Sequence, residues 1–394
     1  MSVSFCLITR NEELNLRRVL ESIRPVADEI IVTDTGSTDT TIQIAKTFEA
    51  KVSRYSWCDD LSAARNFCFS QATGDWIFWI DADEEFLPES TDELRRCLSQ
   101  DTVFAYLILR QDLTDLNRLD RYTEMWLPRL FRRHKDVSLI GRHHEQFKPS
   151  LIELAAKQRQ VVKDSAIRIR HYGFAGPKRA DKFLRDVKLL ELELQERPAQ
   201  IYYQIELYRT LLLLGDKRWR TVLAEALENL RPSVEAENPP TPQIALLLET
   251  LLQLPESELP TWIKPAQLRE LAGRWFPRSA PLLWVLARQD YEQGRFAEAE
   301  GRLRRLIQMG KERSYDKSVG FDPRILAGEA GMNLAACLIR QTKLAEAERI
   351  LESLSVNPEF HLAAQQNLGA IRQIRLGPSR KRPDLDGRAI RGYS

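Results

Sequence analysis

The chain has 394 residues, 43% hydrophobic and 29% charged, which fits an ordinary globular protein with room for two cores. Lys plus Arg number 58 against 56 Asp plus Glu, so no bulk basic field points to nucleic acid. The five cysteines (6, 58, 68, 97 and 337) form an odd, scattered set without a Cys-x-x-Cys pair, which argues against a disulfide framework and for cytosolic thiols.

In chain order, Val3 to Thr9 is a short apolar strand followed by Arg10-Asn11-Glu12-Glu13. Leu14, Arg17, Leu20 and Ile23 then keep helical spacing until Pro25 stops them. A second strand, Glu29 to Thr33, runs into Asp34-Thr35-Gly36-Ser37-Thr38-Asp39, a polar turn suited to opening a helix at Thr40 to Phe48. Lys51 to Tyr55 reads as a third strand and the aromatic run Trp76 to Ile80 as a fourth. This alternation predicts an α/β domain with a mostly parallel sheet covered on both faces. Such sheets bind ligands beyond the carboxyl ends of their strands, where Asp34, Asp39, Asp81 and Asp83 all fall.

Asp81 and Asp83 flank the small Ala82, with Glu84 and Glu85 behind them. Carboxylates at this spacing can converge on a hard cation, Mg²⁺ or Mn²⁺, which in turn can grip a diphosphate. The plainer alternative is a solvated acidic turn, and for Asp34 and Asp39 a helix cap. Trp57, Trp76 and Trp79 read as core or pocket wall. Further on, Leu127 to Arg133 is an apolar-basic, strand-like segment, followed by Gly141-Arg142-His143-His144-Glu145 and by His171-Tyr172-Gly173-Phe174. The His143–His144 pair lacks the closely spaced partners that a structural zinc site needs.

After Gly176-Pro177 the texture becomes helical. Phe183, Val187, Leu190 and Leu194 form an amphipathic stripe ending near Pro198. Tyr202 to Leu214 and Trp219 to Leu230, around Gly215-Asp216, read as a degenerate helix pair. Two better pairs lie near Leu286 to Glu300 and Leu334 to Glu348. Ala297 and Ala345 are 48 residues apart, against a period of about 34 for tetratricopeptide repeats, so an insertion is expected around Lys311 to Arg324. Glu235 to Pro242 reads as a loop, and residues 377–394 as a polar, basic, disordered tail. The longest apolar runs, such as Leu211 to Leu214 and Ile244 to Leu248, are too short to cross a bilayer. No secretory leader precedes the first strand, so a cytoplasmic location is expected, with peripheral attachment to the inner membrane face open.

The blocks Ile8 to Glu12, Ile31 to Asp39, Trp57 to Asn66, Gly74-Asp75-Trp76 and the Asp81-Ala82-Asp83 (DxD) pair together resemble the family 2 glycosyltransferases of the GT-A fold. The resemblance covers roughly the first 175 residues. It is nearest to the branch of lipopolysaccharide-core glucosyltransferases and peptide S-glycosyltransferases, several of which carry helical repeats. It implies a GT-A catalytic domain at 1–175, a tetratricopeptide-like domain at 176–376 and the tail at 377–394. It further implies a metal-dependent, inverting hexosyl transfer from a nucleoside-diphosphate sugar, with UDP-sugar favoured, to a glycan, lipid-linked or peptide acceptor. Asp34 would contact the uracil or ribose, Thr9, Asn11 and Glu12 would line the donor pocket, and Arg65 would face the diphosphate. Asp81 would lie near ribose and metal, and Asp83 and His171 would hold Mn²⁺ or Mg²⁺. His144 and Glu145 would sit on the acceptor side.

In a single displacement a carboxylate must accept the acceptor's proton, and Glu145 is the candidate, with Glu124 and Asp120 competing. Structural alternatives are an ion pair of Arg65 with Asp59 or Asp60, and of Glu145 with Arg142 or Arg133. Many relatives carry a second Asp where this chain has Thr35, which leaves base selectivity open. The Gln-x-x-Arg-Trp element of processive synthases is missing, which favours single transfer. A nucleotidyltransferase would advertise a Gly-rich phosphate loop, and none is present. The alternative from a different class is a repeat scaffold, grasping a protein partner through its helices, whose α/β domain binds a nucleotide without turnover.

Overall fold

The computed structural model describes residues 1–173, 179–235 and 239–376. Phe174, Gly176-Pro177, part of the 235–242 segment and the 377–394 tail therefore lie outside the described residues. The chain divides into two compact units, Met1–Arg231 and the remainder from Pro232.

The first unit is built around three central strands that are covered on both faces. In β1 (Val3–Thr9), β2 (Glu29–Asp34) and β4 (Trp76–Trp79) successive side chains alternate between two cores. Phe5, Leu7, Val32, Trp76 and Phe78 point to one core, where α1 (Leu16–Ile23), α2 (Thr41–Thr47) and α4 (Thr91–Leu98) add Leu16, Leu20, Ala45 and Leu94. Cys6, Ile31, Ile77 and Trp79 point to the other, against Cys68 and Phe69 of α3 (Leu61–Ser70) and Leu151 and Leu154 of α5 (Leu151–Lys157). Continuous apolar runs are what a doubly covered sheet requires. Each fully buried ring, such as Phe5 stacked on Phe78 at 4.7 Å, contributes roughly 2–3 kcal/mol.

The remaining strands are β3 (Lys51–Arg54), β5 (Glu84–Phe86), β6 (Val103–Leu113), β7 (Tyr122–Arg132) and β10 (Val161–His171), with a separate small pair, β8 (Leu139–Ile140) and β9 (Gln146–Phe147). The large sheet has the order β3-β2-β1-β4-β7-β6-β10-β5. Its first four members are parallel, while β7 runs against both β4 and β6, and β5 runs against β10. This reversal matters for function. It sets the end of β10 beside the residues that leave β4, with His171 opposite Glu84 and opposite Asp112 of β6. The predicted α/β sheet is thus present, with the limits of β1 to β4 within a residue of those expected, whereas the segment expected at Leu127 to Arg133 is the second half of the longer strand β7. The strands β6 and β10, two of its longest, were not anticipated.

The same unit includes α6 (Arg179–Glu196) and α7 (Ile201–Leu213), joined through Val187, Leu190, Tyr203, Leu207 and Leu211, and the start of α8 (Trp219–Glu235). The second unit is helical: α9 (Ile244–Gln253), α10 (Pro265–Trp275), α11 (Ala280–Glu292), α12 (Phe296–Glu312), α13 (Gly328–Arg340), α14 (Leu344–Ser355) and α15 (His361–Arg375). The α11/α12 and α13/α14 hairpins turn alike. Gly294 and Thr342 both have left-handed backbone (φ 77° and 58°), and Arg295 N–H and Lys343 N–H each return to a carbonyl five residues back. This is the Schellman closure of a helix end, for which glycine is the unstrained choice. The two turns are 48 residues apart, so the extra length lies between α12 and α13, where a loop and a short 3₁₀ turn (Pro323–Leu326) intervene.

Candidate active site

Asp34, Thr9 and the Asp81–Asp83 turn follow one another across the carboxyl ends of the parallel strands β2, β1 and β4. Thr9 is buried, and its Oγ1 has no hydrogen-bond partner. Buried hydroxyls are mostly paired, so this hydroxyl at a strand end could accept or donate one further hydrogen bond. Asp34, 2% exposed, accepts from the backbone N–H groups of Gly36 and Ser37, both at 3.0 Å, and so shapes its own turn. Asn11, in left-handed backbone, accepts from Thr38 N–H at 2.8 Å and donates its own N–H to Ser37 at 2.9 Å. Glu12 donates its N–H to Thr41 Oγ1 at 2.8 Å. Asp39 accepts from Thr41 N–H at 2.9 Å and from Glu13 N–H at 3.2 Å, which is a helix-opening role. The loops after β1 and β2 are thus tied into one rim.

Arg65 is the hub of the next layer. The N-cap Asp60 starts α3 by accepting from Ala63 N–H, and one turn later Arg65 enters the crevice. It is 7% exposed, and it reaches Asp81 Oδ1 and Glu145 Oε1, each at 2.8 Å. Arg129 of β7 takes the other oxygen of Asp81 at 2.9 Å, and both guanidinia lie against Trp79, 4.3 and 4.0 Å from the ring centroid. Asp59 pairs instead with Lys188 at 2.8 Å, Arg142 donates to Asp59 O and pairs with Glu196, and Arg133 Nε donates to Gly74 O. The structure therefore brings Arg65 together with Asp81 and Glu145, and not with Asp59 or Asp60. Burial pushes the Glu145 carboxyl up, but the charges of Arg65 and His143, with the hydrogen bonds from Arg65 and from the backbone, together hold Glu145 below its ordinary range. Glu84 is fully buried behind the turn, where it accepts from Asp81 N–H at 2.8 Å and from Arg129 at 3.2 Å.

Asp83 faces a different set. His171 Nε2 lies 3.3 Å and Lys182 Nζ of α6 2.8 Å from its Oδ2. His171 Nδ1 is 2.8 Å from Asp112 Oδ1, and Asp112 is itself held by Arg110 at 2.7 Å. Burial raises the Asp83 carboxyl, yet His171 and Lys182 together hold it well below the usual carboxylate range. A carboxylate behind a histidine fixes the ring and its tautomer, an arrangement common behind metal ligands. With the proton on Nδ1 toward Asp112, Nε2 would face Asp83 as a donor to a metal. Gly173 completes the fit: a Cβ there would fall 2.3 Å from Asp83 Oδ2 and 2.6 Å from both His171 Nε2 and Lys182 Nζ. Among the described residues no three His, Cys, Asp or Glu side chains gather as a metal cage. A cation held by Asp83 and His171 would therefore complete its coordination with water or phosphate oxygens, as hard ions in phosphate sites do.

The segment carrying His143 to Glu145 is fixed from both sides. Ser62 donates to Gly141 O at 2.6 Å and Asn66 pairs twice with Leu139, while Arg142 N–H reaches Glu193 of α6 at 2.9 Å. His143 Nε2 sits 3.5 Å from Asp186 of α6, and His144 Nε2 3.4 Å from Glu206 of α7. Tyr202 donates to His144 O at 3.3 Å. Of the competing bases, Asp120 pairs with Arg118 at 2.7 Å and is 60% exposed, and Glu124 accepts from Trp126 at 3.3 Å. Sequence reasoning did not find Arg129, Asp112, Lys182, Asp186 or Glu206. The first had a faint signal, an arginine inside an apolar strand, and the others had none.

Residues 4–169 match the model of Glycosyl transferase family 2. The N-terminal region is accordingly a family 2 glycosyltransferase domain on a sheet with helices on both faces, and a helical region follows it. The chain is 35% identical over 238 residues to a TPR repeat-containing protein of Synechococcus elongatus, covering 58% of this chain and 57% of that one. It is 36% identical over 126 residues to an uncharacterized glycosyltransferase of Rickettsia typhi (32% and 43% covered). It is 29% identical over 145 residues to the glycosyltransferase SunS of Bacillus subtilis (36% and 33%). The chain thus spans between a third and three fifths of the length of these relatives. Similar solved structures include the glucosyl-3-phosphoglycerate synthase of Mycobacterium tuberculosis in complex with Mn²⁺, UDP and glucosyl-3-phosphoglycerate (24% identical, 28% and 44% covered, TM-score 0.25). Another is residues 1–349 of S. aureus TarS (15%, 75% and 92%, TM-score 0.35). Among the described residues no helix is long and apolar enough to cross a membrane.

Proposed function

We propose that this chain is a metal-dependent, inverting, non-processive glycosyltransferase. It would move a hexosyl group from a nucleoside-diphosphate sugar, UDP-sugar in the first instance, to a glycan, lipid-linked or peptide acceptor. Residues 1–175 would form the catalytic domain and 176–376 a tetratricopeptide-like domain, with α6 and α7 contributing to the acceptor side. The observation that carries the reading is the juxtaposition, at the strand ends of a family 2 domain, of Asp83–His171–Asp112 with Asp81–Arg65–Glu145.

The roles follow from charge and position. Thr9, Asn11, Glu12 and Asp34 line the donor's nucleoside. Arg65 sits between Asp81 and Glu145, where a guanidinium can meet the charge that develops on a departing diphosphate. A divalent cation, Mn²⁺ or Mg²⁺, held by Asp83 and His171 would add positive charge to that diphosphate. Glu145, kept ionised by Arg65, accepts the acceptor's proton as its nucleophile attacks the anomeric carbon opposite the leaving group, and one displacement inverts that carbon. His144, held by Glu206 and Tyr202, shapes the acceptor side.

The test is a panel of nucleoside-diphosphate sugars scored for metal-dependent release of diphosphate. Turnover of one donor, abolished by Asp83→Ala, is the expected result. Failure of every donor with well-folded protein would overturn the reading in favour of a scaffold.

A further inference from the structure

We propose that Lys182 is an internal competitor of the divalent cation, one that makes metal capture depend on the arrival of a diphosphate. The inference rests on the reading of Asp83 and His171 given above.

Lys182 belongs to the first turn of α6, 99 residues from Asp83 along the chain, yet its ammonium is 2.8 Å from Asp83 Oδ2. The same oxygen is 3.3 Å from His171 Nε2. All three atoms lie within 2.6 Å of the position that a Cβ on residue 173 would take. Carboxylate, imidazole and ammonium therefore converge on one small space, and only glycine at 173 leaves it clear. A cation that coordinates Asp83 Oδ2 and His171 Nε2 would sit against the Lys182 ammonium. Two positive centres cannot share that oxygen without strong repulsion, so one must leave as the other binds.

Lys182 is the partner able to leave. Its ammonium ends a flexible four-carbon stem and its side chain is 27% exposed, whereas His171 is 4% exposed and fixed by Asp112. A displaced ammonium next to a metal-bound diphosphate has a new anionic partner at hand. Metal alone must break the Lys182–Asp83 pair with no phosphate at hand to receive the ammonium, while metal with diphosphate replaces that pair by a Lys182–phosphate pair. The two ligands then bind with positive cooperativity, and linkage makes the effect reciprocal.

The experiment is titration of Mn²⁺ by electron paramagnetic resonance, with and without UDP, on the full chain and on Lys182→Met and Lys182→Arg. The wild type should bind Mn²⁺ weakly alone and at least tenfold more tightly with UDP. Lys182→Met should bind Mn²⁺ alone at least tenfold more tightly than the wild type, and UDP should add little. Lys182→Arg, which keeps the charge, should behave as the wild type does. Unchanged Mn²⁺ affinity and unchanged UDP enhancement in Lys182→Met would overturn the proposal while leaving the metal site standing. Absence of Mn²⁺ binding from all three proteins, with UDP present, would overturn the metal site itself and the proposal with it.

Discussion

Two clusters of buried charge, one in each unit, are alike in their ion pairing and differ in how they are built. In the helical unit Asp290 is fully buried, and both of its carboxylate oxygens are taken by Arg269, by Arg295 at 2.6 Å and by Arg302 at 2.7 Å. Its partners come from α10, from the turn after α11 and from α12, so the cluster staples a short stretch of chain. Burial raises its carboxyl and the three guanidinia more than reverse that, which keeps it ionised. In the α/β unit the charges come from α3, β6, β7, β10, α6 and the loops between, some of them 80 and 99 residues apart. They end in two carboxylates, Asp83 paired with His171 and Lys182 and Glu145 paired with Arg65. Burial of charge is thus no mark of a functional site. Convergence from distant elements at strand ends, around a place that only glycine leaves clear, is the better one.

The comparison can be broken by substitution, beginning with the largest effect. Glu145→Gln should lower transfer by about 10³-fold, near 4 kcal/mol, with donor binding retained. Single-turnover assays beside UDP titrations check it, and near-full transfer would remove Glu145 as the base. Asp290→Asn should leave UDP binding untouched and destabilise the helical unit by about 3 kcal/mol, because three guanidinia lose the charge that joins them. Urea unfolding followed by circular dichroism reads that cost, and a loss of UDP affinity instead would erase the distinction between the clusters.

The smallest effect sharpens the contrast with an ordinary structural carboxylate. Glu29, on β2, accepts from Thr73 N–H at 2.9 Å and Thr73 Oγ1 at 3.0 Å and pairs with Lys51, joining β2, β3 and the loop before β4. Burial opposes its ionisation, but these partners hold its carboxyl down at about 2. A depressed folded-state value means that its stabilisation is complete above the ordinary carboxylate range and fades as pH falls toward 2. Glu29→Gln should therefore cost about 1 kcal/mol at pH 7 and progressively less from pH 4.5 downward, as unfolding at several pH values would show.

The sequence revealed the crevice more readily than its inner wall, for physical reasons. Apolar runs that stop at acids, as in Trp76 to Asp83, announce strand ends locally, and the helix stripes of α6, α11 and α13 were equally plain. The strand β10 alternates buried Ser165, Ile167, Ile169 and His171 with more exposed neighbours, a two-residue period legible in the sequence itself. The partners of the key acids were beyond reach. Arg129 meets Asp81 only because β7 reverses direction beside β4, and Asp112 meets His171 only through the β6–β10 register. Lys182, Asp186 and Glu206 lie on helices whose own patterns say nothing about the loops they face. Glu84 shows the converse: it belongs to the acidic motif by sequence, yet it is wholly buried and braces the turn that presents Asp81.

The central claim is that the strand-end carboxylates hold a nucleoside diphosphate through a divalent cation, and calorimetric titration of UDP with and without Mn²⁺ tests it most directly. The account predicts binding that requires Mn²⁺ and weakens at least 100-fold in Asp83→Ala while the fold persists. UDP binding indifferent to both Mn²⁺ and Asp83→Ala, or none under any condition, would contradict it.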